Sequence, residues 1–123
     1  LILSLTLLEA DESSQGFESN YVLDVLRSKA DFALGLRAAQ NIHLDLRWSF
    51  QDRIGGYFDP VQGAEIAFSP VHLIGTTVRW IPESLPVAFH FRMDNALDAQ
   101  YVDIGNVDQP GRWVRAGLTW SMD

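Results

Sequence analysis

Residues 111–122 read Gly-Arg-Trp-Val-Arg-Ala-Gly-Leu-Thr-Trp-Ser-Met. Every second residue is apolar, in the series Val114, Ala116, Leu118, Trp120 and Met122. After Trp113, the intervening residues Arg115, Gly117, Thr119 and Ser121 are polar or small. This alternation predicts a β-strand with two unlike faces, as in antiparallel sheets that have water on one side. The stretch alone fits both the last strand of an outer-membrane barrel and the edge strand of a soluble barrel or sandwich.

The composition and hydropathy of the chain exclude several classes of protein. The chain has 123 residues, with 16 Asp and Glu against 9 Lys and Arg, and this acidic balance argues against binding to nucleic acid. Cysteine is absent, which excludes disulfide bonds, thiolate metal sites and cysteine nucleophiles. No run is long and apolar enough for a transmembrane helix. Residues 1–8 alternate like a strand and lack the features of a signal peptide. We therefore expect a C-terminal piece of something longer that begins inside a strand.

A β-hairpin is predicted in the first half of the chain. Residues 42–51 give the cleanest strand pattern, with apolar Ile42, Leu44, Leu46, Trp48 and Phe50. Residues 39–41 form a tight turn before it, and residues 21–38 form the preceding strand. This turn predicts three cross-strand pairs, the unit of sheet stabilisation: Leu36 with Leu44, Leu34 with Leu46, and Phe32 with Trp48. A helix over residues 22–29 is the competing prediction, because Asp24 and Ser28 break the alternation.

Two further strands, over residues 72–81 and 87–95, complete an up-and-down order. The connections alternate between long ones, near residues 10–19, 52–70 and 96–110, and short ones, at residues 39–41 and 82–86. Long loops at one rim and tight turns at the other are typical of outer-membrane barrels. Seven charged residues in these strands fall on the polar face of their strand by alternation: Arg37, Asp45, Arg47, Arg79, Arg92, Asp94 and Arg115.

We therefore predict an all-β fold, an antiparallel up-and-down transmembrane β-barrel. Trp48 and Phe50 lie near one end of the apolar side, and Trp80 and Trp120 near the other, as two interfacial aromatic girdles would. The chain supplies about six strands, whereas the smallest bacterial membrane barrels have eight. Residues 1–123 are thus expected to be the C-terminal segment of a larger barrel.

The last third of the chain carries a set of motifs. An apolar strand runs into the turn Asn95-Ala96-Leu97-Asp98, Tyr101 follows, and Pro110-Gly111-Arg112 leads into the final strand, which contains Gly117. Residues 87–122 in this respect resemble the C-terminal end of TonB-dependent outer-membrane receptors, and residues 21–52 more loosely resemble the vitamin B12-type or haem-type receptors. The family usually ends on an aromatic residue, whereas Met122 and Asp123 stand here. The plug and the TonB-contact segment of the family are absent from these residues.

The resemblance implies a barrel of about 22 strands in the bacterial outer membrane, with active uptake of a ligand such as cobalamin, haem, a siderophore or a glycan. It also implies several partners: outer-membrane lipid, the remaining barrel strands and plug in the same or another chain, the TonB complex and a surface lipoprotein. Two other functions remain open from the residues alone, a passive porin-like channel and a soluble ligand-binding β-barrel.

Two sets of side chains are candidates for binding. At the extracellular rim, Arg53, Tyr57, Phe58 and Tyr101 are expected to contact ligand, because aromatic rings can stack on planar ligands. These rings could equally pack the loops together, and Arg53 could pair with Asp52. In the lumen, Asp45, Arg47, Arg92 and Asp94 are expected either to contact the plug or to pair within the wall.

Neither a metal site nor a catalytic site is predicted. His43, His72 and His90 lack the local spacing of metal ligands and are expected in the lumen or at the rim. Asp103, Asn106 and Asp108 lack the glycine and glutamate of a calcium loop. No nucleophile motif surrounds any serine. The sequence therefore predicts a protein that is not an enzyme and has no cofactor.

Overall fold

The computed structural model of the chain describes residues 1–9, 26–103 and 107–121. All regular structure in these residues is β-strand, which confirms the predicted all-β class. None of the described residues belongs to a helix able to span a membrane. The strands are β1 Ile2–Glu9, β2 Leu26–Ala39, β3 Ile42–Arg53, β4 Gly56–Asp59, β5 Ala64–Ala67, β6 Val71–Trp80, β7 Val87–Asp94, β8 Val102–Asp103, β9 Val107–Asp108 and β10 Trp113–Trp120.

Six of the strands form one antiparallel sheet in the order β1-β2-β3-β6-β7-β10. Each strand pairs with the next long strand in the chain, so the sheet is an up-and-down meander, as predicted. Within the described residues, β1 and β10 are its two edges and the sheet does not close on itself. The ladders β4–β5 and β8–β9 lie in the two long connections, where the sequence analysis predicted no strands.

The β2–β3 hairpin has the predicted register. Phe32 lies opposite Trp48, Leu34 opposite Leu46 and Leu36 opposite Leu44. Irregularities interrupt the pairing near both ends of β2. Because β2 begins at Leu26, the competing helix is wrong for residues 26–29, and residues 22–25 of that prediction lie outside the described residues.

The sheet has almost no buried core. Among the described residues, only Pro82, Ala88 and Asn95 are buried. Its apolar face carries Leu36, Leu44, Val78, Phe91 and Ala116 in one row of opposed residues. Leu118, on the same face, remains 64% exposed. No second sheet or helix in the described residues covers this face.

The polar face lines a cleft of about 510 Å³. Residues from all six strands of the sheet border it, among them Ser4 of β1, Arg47 of β3 and Trp113 of β10, and Tyr101 of the β7–β10 connection joins them. A sheet that bends toward its polar side brings residues from every strand to a single cleft. We conclude that the polar face is concave and the apolar face convex.

Candidate functional site

The apolar face forms a band of nearly constant height. It runs from Ile42 to Phe50 on β3 and from Trp80 to His72 on β6, about nine residues on each strand, which is the length a tilted strand needs to cross a membrane. The band ends at charged or polar side chains on the same parity, including Asp52 on β3 and Asn95 after β7. Asp52 pairs there with Arg27 at 3.3 Å.

Aromatic rings gather at both ends of this band. At the end next to the long connections, Trp48, Phe50 and His72 stack with ring centroids 5.0 to 6.5 Å apart. At the end next to the short turns, Trp80 stacks on Phe89 at 5.2 Å. Trp120 on β10 lies at this same end. The tryptophans lie at the two ends as predicted. His72 was expected in the lumen or at the rim, but its position opposite Phe50 puts its imidazole on the apolar face.

The polar face contains an ion-paired cluster on β7 and β10. The Arg92 guanidinium donates to both oxygens of Asp94 at 2.8 to 3.0 Å, and Arg115 donates to the same carboxylate at 3.1 Å. Arg92 and Arg115 are directly opposed, so Asp94 compensates two like charges that would otherwise destabilise the pair. Arg115 was missing from the predicted network because the sequence does not give the register of β10 on β7.

Asp45 and Arg47 lie on the polar face but outside this cluster. Asp45 is opposite Gly35 and Thr77, and Arg47 is opposite Ala33 and Gly75. Among the described residues, neither makes an ion pair within 4.0 Å. The four predicted lumen residues therefore share one face, while only Arg92 and Asp94 are in contact.

A second cleft, of about 390 Å³, lies where the two long connections meet. Its lining includes Arg53, Tyr57 and Tyr101, and the Tyr57 ring packs against Phe68 with centroids 5.8 Å apart. Phe58 does not line it and is 56% exposed, because it alternates with Tyr57 along β4. Three of the four predicted rim residues are thus brought together, and the contact of Tyr57 with Phe68 packs the β3–β6 connection on itself.

Arg53 and Asp103 form an ion pair across this cleft. The Arg53 side chain is only 10% exposed, against 38% for Asp103. The ion-pair partner of Arg53 is therefore Asp103, whereas the sequence had suggested Asp52. Burial, and secondly the Asp103 carboxylate, raise the pKa of the Tyr101 phenol, while Arg53 lowers it. The phenol consequently stays neutral as a hydrogen-bonding group over the physiological pH range.

The predicted motif residues of the β7–β10 connection form one hydrogen-bonded unit. Asn95 adopts a positive φ of 49°, and its side-chain amide donates to the carbonyls of Ala99 at 2.8 Å and Pro110 at 3.3 Å. Its side-chain oxygen accepts from the Ala99 amide at 2.9 Å. A buried asparagine with its groups satisfied in this way fixes the path of the backbone around it.

Asp98 makes the second link of this unit. Its Oδ1 accepts from the Arg112 amide at 2.6 Å, and a Cβ added to Gly111 would overlap that same oxygen. The Arg112 side chain donates back to the Ala96 carbonyl at 3.1 Å. The Asn-Ala-Leu-Asp turn and the Pro-Gly-Arg segment, separated in sequence, are therefore in direct contact, and a larger residue at position 111 would displace the Asp98 carboxylate.

The predicted closing strand is an edge of the sheet. Val114, Ala116, Leu118 and Trp120 lie on the apolar face, opposite residues of β7, and Met122 lies outside the described residues. Every residue of β10 is exposed. The outer side of this strand thus offers backbone groups and an apolar face for further pairing.

No family model matches the chain, and neither the curated proteins nor the solved structures contain a significant match. The resemblance to TonB-dependent receptors therefore stays a prediction from the motifs. Among the described residues, no group of three or more acidic or histidine side chains could hold a metal ion; Asn106 of the Asp103, Asn106 and Asp108 set lies outside them.

Proposed function

We propose that this chain is the C-terminal part of an outer-membrane β-barrel, and specifically of a TonB-dependent receptor for uptake of a ligand such as cobalamin, haem, a siderophore or a glycan. The observation that carries the proposal is the curvature of the sheet relative to its two faces. The polar, charged face is concave, and the uncovered apolar face is convex.

This orientation favours a membrane barrel over a soluble ligand-binding barrel. A soluble barrel of a few strands turns its apolar residues inward to fill its interior. Membrane barrels do the reverse, with a polar interior and an apolar band toward lipid. Large contiguous apolar patches are rare on soluble monomers, whereas Phe91 and Trp120 belong to an apolar face that extends over six strands.

In the proposed receptor, three surfaces of this segment have separate roles. The apolar band contacts lipid, the concave face with Asp45, Arg47, Arg92 and Asp94 contacts the plug, and the cleft at the long connections contributes to ligand capture. The Arg53–Asp103 ion pair, which joins the end of β3 to the β7–β10 connection, and the ring packing of Tyr57 support a preformed rim rather than a loose one. Energy for uptake comes from the TonB complex, as the resemblance implies.

The test of the lipid-facing assignment uses two adjacent substitutions, Leu46→Asp and Asp45→Asn, in the whole polypeptide that contains this segment. Leu46 lies in the middle of the apolar band, and Asp45 lies on the concave face. We expect Leu46→Asp to abolish the heat-modifiable, membrane-extracted form, and Asp45→Asn to leave it intact. Equal behaviour of the two variants would overturn the assignment of the faces.

Conductance and uptake separate a receptor from a passive channel. A plugged receptor reconstituted in planar lipid should conduct few ions, and uptake by cells should stop when the inner membrane is de-energised. Steady ion conductance together with uptake that ignores the membrane potential would favour the porin-like channel.

A further inference from the structure

A row of basic side chains crosses the concave face near its short-turn end. Arg37 on β2 lies opposite His43 on β3, His43 opposite Arg79 on β6, and Arg79 opposite His90 on β7. Neighbouring strands are about 4.8 Å apart, so the four side chains extend over roughly 14 Å. Each arginine in this row lies opposite a histidine, so two guanidinium groups and two imidazoles, all able to donate hydrogen bonds, line the same side of the sheet.

The described residues provide no carboxylate for this row. None lies within 4.0 Å of the charged nitrogens of His43, Arg79 or His90. The other contacts are neutral: Arg37 donates to the Gln40 carbonyl at 2.9 Å, and the His90 Nε2 lies 3.1 Å from the Thr119 hydroxyl. The contrast with Arg92 and Arg115, which share Asp94, is clear.

The acidic side chains nearest to this row are those of Asp45 and Glu83. Asp45 is directed away from the row, and Glu83 lies at one end of it. The Asp45 carboxylate lies over Gly35, 3.0 Å from where a Cβ would stand, and so toward β2 and away from Arg79. Glu83, in the β6–β7 turn, borders a cleft of about 560 Å³ together with Arg37 and His43. Space for a ligand is therefore present beside the row.

The wider field of the concave face has the same sign. Although the chain carries a net charge of −7, the basic residues on this face outnumber the acidic ones. The basic residues are Lys29, Arg37, Arg47, Arg53, Arg79, Arg92 and Arg115, and the acidic residues are Asp31, Asp45, Asp94 and, as the partner of Arg53, Asp103. A concave surface of one sign concentrates oppositely charged solutes.

We propose that the row Arg37, His43, Arg79 and His90 is a binding site for a multivalent oxyanion, a solute that carries several phosphate or carboxylate groups on one molecule. Guanidinium groups bind such oxygens with paired hydrogen bonds, and a single monovalent ion could not neutralise a row of this length. The site requires the concave face but not a membrane or a transport function.

The two imidazoles have charged neighbours on both sides. His43 faces Arg37, Arg79 and Glu83 and has Asp45 on its own strand; His90 faces Arg79 and lies beside Arg92 and Arg115. Each imidazole can add a hydrogen bond to an oxyanion that the two guanidinium groups bind.

Titration calorimetry on the whole polypeptide in detergent tests the site, with tripolyphosphate and citrate as the two probes. We expect at least one of them to bind, and the stronger one identifies phosphate or carboxylate as the preferred group. Arg79→Gln should weaken binding by about tenfold or more, because a charged hydrogen bond is lost. Arg27→Gln, on the other face, should leave binding unchanged.

A second variant, His43→Gln combined with His90→Gln, keeps the two arginines and should weaken binding less than Arg79→Gln does. Heat-modifiable mobility shows whether each variant is folded. Absence of binding by both probes in the folded protein, or equal weakening by Arg79→Gln and Arg27→Gln, would overturn the proposal.

Discussion

The six-stranded sheet and the β7–β10 connection are stabilised in different ways. The sheet is regular, but nearly all of its described side chains are only half-buried or are exposed. The connection is irregular, yet it encloses the buried Asn95 and ties distant segments together through Asp98 and Arg112. The sheet thus depends on its surroundings for the burial of its apolar face, whereas the connection carries its own stabilising contacts.

The largest effect should come from placing the same charge on the two faces of β6. Val78→Arg puts a guanidinium on the apolar face, and Thr77→Arg puts it on the concave face, between Asp45 and Arg92. We expect Val78→Arg to lower the free energy of unfolding in lipid by about 2 kcal/mol or more, and Thr77→Arg to change it little. Urea unfolding of the protein in phospholipid vesicles measures both. Equal losses would mean that both faces contact the same medium.

A smaller effect is expected from adding one methyl group in each region. Gly111→Ala would push the Asp98 carboxylate away from the Arg112 amide, at a cost of about 1–3 kcal/mol for the unsatisfied groups. Gly117→Ala on β10 meets nothing within 4 Å and should be nearly neutral. Unfolding midpoints of the two variants give the comparison. A tolerated Gly111→Ala would show that the connection is not held by this contact.

The smallest effect concerns the ionisation of Tyr101. Because burial raises the pKa of its phenol, the folded state favours the protonated form. The associated stability is complete below the ordinary tyrosine pKa near 10 and is lost as the pH rises through the folded value. Ultraviolet phenolate titration, with Tyr101→Phe subtracted, measures the shift. Asp103→Asn should remove only part of it, since burial is the larger cause; an unshifted midpoint would contradict the burial of this ring.

The sheet was predictable from the sequence because alternation encodes it directly. A strand such as β3 repeats its pattern over many residues, and the tight turn before it fixes which residues of β2 lie opposite. The faces of Trp48, Leu46 and Arg47 followed from this alone. Curvature did not follow, since alternation separates two faces without telling which one is concave.

The connections were less predictable for a physical reason. The ladders β4–β5 and β8–β9 are too short to show a recognisable alternation of apolar and polar residues. Their positions depend on side-chain contacts between residues that are far apart in sequence. Arg53 and Asp103 are 50 residues apart, and no local pattern links them. The hydrogen bond from Asn95 to Pro110 likewise joins residues that are far apart in sequence. Both motifs were recognised in the sequence, but the hydrogen bonds between them were not predicted.

The exposed outer side of β10 has a consequence for biogenesis. An edge strand that presents leucine and tryptophan, with no lysine or proline to discourage docking, is a template for aggregation in water. In the proposed barrel, this edge would need a holding factor until its neighbouring strand arrives. Synthesis of the segment without such a holding factor is expected to yield inclusion bodies, and the order in which strands are delivered becomes part of the folding problem.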